Sequence, residues 1–204
     1  MNDEIINILE RVNCLYRKYG IKSVTMDDVS RELGISKKTL YQYFTDKNDL
    51  VLQIVDLEVK RRSHSFEEIF MRNLNAVEEL IELNRLANLM MKEYSPVIEY
   101  DMKKYYPMAF ERIQQVKNIR MYEIILANMK KGKAEGIFRQ EMNEEIIAKM
   151  HVSRIMAASE NSLFTHEELH SVAFFREFFI YHIRGIANEK GLKILENCLK
   201  NFES

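Results

Sequence analysis

The sequence predicts an all-α protein built from a small helix-turn-helix head and a larger helical body, on three observations. Runs rich in Leu, Ile, Met, Glu and Lys dominate the 204 residues, and only two prolines and six glycines interrupt them, a composition that favours helix over sheet. Apolar residues recur at three- and four-residue spacing through almost every segment. Between residues 24 and 50, two short segments of this kind are joined by Gly34-Ile35-Ser36, too few residues for anything but a tight corner between helices.

The elements follow in order. A first helix over 3–19 carries Ile5, Ile6, Leu9, Val12, Leu15 and Tyr16 as its apolar stripe, and Gly20 ends it. Helices over 27–33 and 37–44 make the corner. Thr25 caps the first of them, with Asp28 three residues on completing a capping box, and Ser36 caps the second. Gly34 supplies the permissive backbone between them. Asp46 caps a fourth helix from Lys47, whose pattern continues through Phe66, Ile69 and Phe70.

Asn75 and Glu78 read as another capping box, opening a helix to about Tyr94. A short helix over 97–103 follows Ser95-Pro96, and Pro107 suits the first turn of a long helix ending near Lys133. After a loop at Gly136-Ile137-Phe138-Arg139, Asn143 opens a helix to about Asn161. Thr165 and Glu168 form a further capping box, predicting one continuous helix through Ile186 that is apolar on more than one face and therefore needs two partners. Within it Gly185 offers a place for close backbone approach. A last amphipathic helix spans about 188–202.

Lys and Arg (30) nearly balance Asp and Glu (31), for a formal net charge of -1, which argues against indiscriminate binding to nucleic acid or anionic lipid. Contact with a polyanion must be local. Cys14 and Cys198 form no close-spaced metal motif and predict two reduced thiols. The start MNDEII lacks the basic and apolar run of a secretory signal, and no window is apolar enough to span a bilayer. A soluble, cytoplasmic protein without a membrane partner is the expectation.

On a helical wheel the 37–44 segment places Leu40 and Phe44 together, facing Val29, Leu33 and Ile35 in a small core. The opposite side carries Lys38 and Gln42, flanked by Thr39 and Tyr41, with Lys37 opening the helix and Tyr43 nearer the core. Taken alone, Lys37-Lys38 is a solvated surface. As a set, the face offers cations and hydroxyls for phosphates and an amide able to pair with a base edge.

Thr25, Val29, Leu33-Gly34-Ile35-Ser36, Thr39-Leu40-Tyr41, Tyr43-Phe44, Lys47 and Leu50 follow in an order and spacing that resembles the signature of the TetR (tetracycline repressor) family of bacterial transcription regulators. Lys38 departs from it, standing where many members carry glycine or another small residue. The resemblance covers about the first quarter of the chain directly. It implies a DNA-binding domain over 1–46 and a helical effector-binding and dimerisation domain over 47–204. It implies that Thr25, Lys37, Lys38, Thr39, Tyr41, Gln42, Tyr43 and Lys47 meet double-stranded DNA, Lys47 holding a phosphate. It further implies a homodimer packed through its last two large helices, with Ile155, Phe175, Phe179, Ile183 and Ile186 as interface candidates. The two recognition helices would then reach a palindromic operator roughly 34–36 Å apart. A repressor responding to a small apolar or amphipathic effector is the implied function, the effector shifting the helix that starts at Lys47. Candidates to line its site are Met91, Tyr94, Tyr105, Phe110, Tyr122, His151 and Arg154. No cofactor is implied.

Other readings weigh against these. His166-Glu167-Glu168-Leu169-His170 fits the H-E-x-x-H pattern of zinc hydrolases, with Glu189 a conceivable third ligand. The motif occupies a first helical turn, where acidic residues simply suit the dipole, and the chain offers no strand to align a peptide. A helical protein-interaction adaptor is the other rival. His151 reads most simply as a partly buried histidine satisfied by a neighbour, and the methionine and aromatic set as ordinary core. No phosphate-cradling glycine loop or nucleophile with a supporting histidine is present, so an enzyme is not expected.

Overall fold

A computed structural model describes residues 3–92, 95–160, 163–169 and 171–200, with the backbone alone for Met91, Lys92, residues 158–160, His166 and Phe175. Among the described residues the chain forms α1 (Asp3–Tyr19), α2 (Met26–Leu33), α3 (Lys37–Tyr43), α4 (Lys47–Phe70), α5 (Ala76–Lys92), α6 (Pro96–Tyr105), α7 (Pro107–Ala134), α8 (Glu144–Glu160), α9 (His166–Leu169), α10 (Val172–Ile186) and α11 (Glu189–Lys200). The only extended pairing among them is an isolated antiparallel bridge between Phe138 and Ala187. The described residues fall into two compact units, one within 1–64 and 94–116 and the other within 65–93 and 117–204.

In the first unit the core gathers Leu9, Val12 and Tyr16 of α1, Val29 of α2, Leu40 of α3, Phe44, and Leu50, Val51 and Ile54 of α4, joined by Met102 of α6, by Tyr106 at the end of that helix, and by Ala109 of α7. The wheel is borne out: Leu40, Phe44 and Val29 are buried, and Leu33 and Ile35 pack partly buried against them. Each such side chain contributes about 1.5–3 kcal/mol by leaving water. Ile8, outside the expected stripe, is also buried.

The second unit centres on Val77 and Leu80 of α5, Met129 of α7, Phe138, Ile183 and Ile186 of α10, and Leu195 of α11. Phe138 lies over Gly132, where a β-carbon would sit 2.0 Å from the ring, so only glycine fits. The 136–139 loop is stitched to the α10–α11 junction: Arg139 N donates to the Ile186 carbonyl (2.9 Å) and Asn188 N to that of Ile137 (3.1 Å). Buried Asn128 of α7 donates to the Ala76 carbonyl (3.0 Å) and to Glu79 Oε1 (2.8 Å), whose other oxygen receives Lys131 Nζ (2.5 Å).

The caps expected at Asp46 and Asn75 form: Asp46 Oδ1 accepts from Asp49 N, and Asn75 and Glu78 exchange their side-chain and backbone bonds. Ser95 Oγ also accepts from Ile98 N, a cap not expected from the sequence. One expectation needs correction. The capping box at Thr165 and Glu168 is present, but it opens only the four-residue α9. Ser171 then caps α10 anew by accepting from Phe174 N, so a local cap splits the single helix read from periodicity. On α10, Phe179, Ile180, Ile183 and Ile186 are buried in their own unit, while Val172 and Tyr181 are exposed. The expected helix ends at Tyr94, Asn161 and Phe202 lie outside the described residues.

Candidate nucleic-acid interface

The corner is built by local chemistry. Thr25 N and its hydroxyl both donate to Asp28 Oδ2 (2.9 and 2.6 Å), and Thr25 Oγ1 accepts from Asp28 N (3.2 Å). The Thr25 hydroxyl and amide hold the Asp28 carboxyl below its ordinary value, so the box stays charged at the positive end of α2. Gly34, at φ +70°, closes that helix in the left-handed conformation glycine tolerates. Gly34 N and Ile35 N donate back to Arg31 and Ser30. Ser36 Oγ accepts from Thr39 N (3.0 Å) and shares a hydrogen bond with the Thr39 hydroxyl (2.7 Å).

With Leu40 turned into the core, Lys38, Tyr41 and Gln42 are exposed on α3 and Thr39 is half-buried. Lys38 and Gln42 make no hydrogen bond or ion pair within the described residues, leaving an ammonium and an amide whose partners must come from outside. The other expected contacts are already engaged. Lys37 Nζ pairs with Asp27 across the corner (2.7 Å), and that hydrogen bond raises its pKa. The Tyr43 hydroxyl donates to Glu4 of α1 (2.7 Å). Thr25 is exposed, its hydroxyl serving the cap.

Lys47 differs most from its expected role. Its Nζ donates to the Ile21 carbonyl (2.6 Å) and more weakly to that of Lys22 (3.4 Å), and burial first, then the Lys22 charge, lowers its pKa. Asp101 of α6 grips the same corner from its donor side, accepting from Lys22 N (2.8 Å). A lysine of α4 and an aspartate of α6 thus hold the backbone that leads into α2. Asp27, Glu4 and Asp101 escaped the sequence reading, because a lone carboxylate carries no local signal of its partner.

The effector candidates divide between the units. Tyr105 and Phe110 belong to the first. Tyr105 takes the Lys22 ammonium 4.5 Å and that of Lys104 5.3 Å from its ring centroid, and Phe110 packs against the core. Tyr122, His151 and Arg154 belong to the second, Tyr122 packed at the edge of its core. The side chains of Met91 and Tyr94 lie outside the described residues, as do those of His166 and His170 of the H-E-x-x-H motif and of Phe175. An open groove of about 430 Å³ in the second unit is lined by Leu74, Ile81, Arg72, Arg85 and Cys198, and Glu82 pairs with both arginines.

His151 is buried, but no neighbour satisfies it. Its ring lies 4.0 Å, centroid to centroid, from that of His182 of α10, and His151 Nδ1 and His182 Nε2 have no hydrogen-bond partner among the described residues. Of the interface candidates, Ile155 is half-exposed, whereas Phe179, Ile183 and Ile186 are buried within their own unit and leave no face for a second chain. Periodicity marked them as apolar without saying which partner covers them.

Residues 8–54 match the model of the tetR family of bacterial regulatory proteins. An HTH-type transcriptional regulator of Staphylococcus aureus is 31% identical over 62 residues, 30% of this chain and 34% of that protein. The chain thus spans about a third of that relative's length. A transcriptional regulator from Cytophaga hutchinsonii shares the fold at TM-score 0.78 and 17% identity, over 92% of this chain and 100% of that one. The ketosteroid transcriptional regulator of Mycobacterium tuberculosis superposes at TM-score 0.54 and 15% identity, over 93% and 97%.

Proposed function

Because this chain belongs, through its amino-terminal domain, to the TetR family of bacterial regulatory proteins, we propose that it is a cytoplasmic DNA-binding repressor that reads a near-palindromic operator as a homodimer and responds to a small effector. The family consists of DNA-binding transcription regulators rather than enzymes. The observation that carries the reading is the outward face of α3, where Lys38 and Gln42 stand exposed without partners on a helix anchored by Leu40. Lys38 answers phosphate charge, and Gln42 has the paired donor and acceptor that match an adenine edge in the major groove. Thr25, Thr39 and Tyr41 border that face. Lys37 and Tyr43 join it by exchanging their carboxylate partners for DNA, and Lys47 has a third N–H to spare for phosphate.

In functional terms residues 1–46 read DNA and residues 47–204 sense and dimerise. A second chain is supported by side chains that find no cover among the described residues of their own: Ile146 and Met150 on α8, each 56% exposed, with Ala157 along the same helix, and Val172 on α10. Gly185 has open space where a β-carbon would stand, room for the backbone of another copy. The effector acts by preferring one of two states that differ in the spacing of the reading heads.

A mobility shift with DNA from upstream of the protein's own gene tests this. Tyr41→Ala is expected to keep the wild-type melting temperature and bind about tenfold more weakly, and wild-type affinity should fall steeply with salt as counterions are released. Equal binding by the variant, or none by the wild type, sinks the assignment.

A further inference from the structure

The second unit holds a cluster that the reading of DNA does not use. On α8, His151 and Arg154 lie one turn apart, and on α10 so do Phe178 and His182. The helices bring all four together: the two imidazoles stack at 4.0 Å, His151 meets the Phe178 ring edge-on at 5.8 Å, and the Arg154 guanidinium carbon sits 4.2 Å from the Phe178 centroid and 5.3 Å from that of Tyr181. Both histidines are deeply buried, 6% and 5% exposed, and each has a ring nitrogen with no partner among the described residues. Arg154 donates to the Phe178 carbonyl (3.1 Å) and pairs with no carboxylate among the described residues. Burial lowers the pKa of all three groups, His151 to about 4 and His182 to about 2, and the Arg154 charge pushes both imidazoles further down.

A half-buried guanidinium stands in the same cluster as two buried imidazoles that each carry an unpaired ring nitrogen, and no carboxylate among the described residues pairs with it. Buried polar groups are ordinarily paired, and a guanidinium in such a setting ordinarily finds a carboxylate. Two imidazoles are too few for a metal, and no group of three metal-ligating side chains occurs among the described residues. The Phe178 and Tyr181 rings give the place apolar walls, and Tyr181, 73% exposed beside Arg154, leaves the guanidinium side reachable. We propose that Arg154, His151 and His182 receive the carboxylate of a small organic acid with an apolar body, which is the effector of this regulator. The inference rests on the reading of the chain as a ligand-responsive repressor. Arg154 supplies the charge, and an imidazole N–H, in the tautomer the ligand selects, supplies a second bond.

The full chain is titrated by calorimetry and thermal shift with benzoate, naphthalene-1-acetate, octanoate and decanoate, each beside its neutral amide. At least one acid is expected to bind tenfold or more tighter than its amide and to lower affinity for the upstream DNA. Arg154→Gln should lose that preference, and Arg154→Lys should keep part of it with a fold no less stable. The proposal is overturned if no acid outbinds its amide, if the preference survives in Arg154→Gln, or if the bound acid leaves DNA affinity unchanged. It is equally overturned if Arg154→Gln weakens self-association of the ligand-free protein in sedimentation equilibrium, since a carboxylate of a second copy then fills the place. The mobility shift of the ligand-free protein is read separately, so failure of DNA binding is distinguishable from failure of acid binding.

Discussion

The two units treat their polar side chains in opposite ways. Around the reading helix the polar groups that shape the backbone are answered: Thr25 by Asp28, Ser36 by Thr39, the Ile21 carbonyl by Lys47 and the Lys22 amide by Asp101. The unanswered ones, Lys38 and Gln42, stand in solvent, where water satisfies them at little cost. In the second unit the unanswered atoms are buried, His151 Nδ1 and His182 Nε2 together with Asn88 Oδ1 and Asn128 Oδ1, where an orphaned donor or acceptor costs about 1–3 kcal/mol. The Tyr16 hydroxyl is the first unit's exception, buried and unpaired. The difference teaches how each region is suited to its partner. Under the proposed function, free surface groups on a fixed scaffold suit a large polyanion, and buried polar groups without a partner suit a small ligand that would pair with them.

The contrast breaks most completely if the scaffold is removed. Leu40→Ala, at a fully buried position, is expected to cost about 2–5 kcal/mol of stability and to abolish DNA binding with it, as a thermal melt beside a mobility shift would record. Melting at the wild-type temperature would mean that α3 does not depend on its core contact. The free surface is probed by Lys38→Ala and Gln42→Ala, each expected to weaken operator binding by about 1–3 kcal/mol while leaving the melting temperature alone. A fall in melting temperature instead would place those side chains among the structural ones.

Acid sharpens the comparison from the other side. Both buried imidazoles have folded pKa values below their ordinary value, so between about pH 6.5 and 4 the unfolded chain binds more protons than the folded one. Stability therefore falls as pH falls through that window. From pH 7 to pH 5 the melting temperature is expected to drop by roughly 5 °C, and His182→Phe should flatten that slope. An unchanged slope in the variant would show that the pair is not what acid attacks.

The smallest expected effect concerns the pair on the DNA side. Asp27→Asn releases Lys37 and removes a carboxylate beside the phosphates, and should raise DNA affinity about two- to fivefold at low salt, with the gain fading as salt rises. Weaker binding by this variant would indicate that Asp27 is needed to hold Lys37 in place.

Much of the fold was legible because its signals are short. The turn at Gly34, the caps at Thr25, Ser36, Asp46 and Asn75, and the start of α7 at Pro107 each depend on residues within about four positions, so the chain alone declares them. The outward placement of Lys38 and Gln42 followed from the same arithmetic, once Leu40 and Phe44 were recognised as the buried side. The sequence misled where one local signal overruled another, as when Ser171 ended the helix begun at Thr165, and where an apolar residue had two candidate partners, as Phe179 and Ile183 did.

By itself, then, the order of residues determined an all-helical chain with a capped helix-turn-helix near its start and an outward polar face on one side of α3, because hydrogen bonds and periodicity over a turn or two are enough to specify them. Tertiary structure decided that Lys37 answers Asp27, that Tyr43 reaches Glu4, that Lys47 holds the backbone at Ile21, and that His151 meets His182 over a burial neither can satisfy. Those pairs join residues ten to forty positions apart, and only the packing of one helix against another selects which distant group each side chain finds.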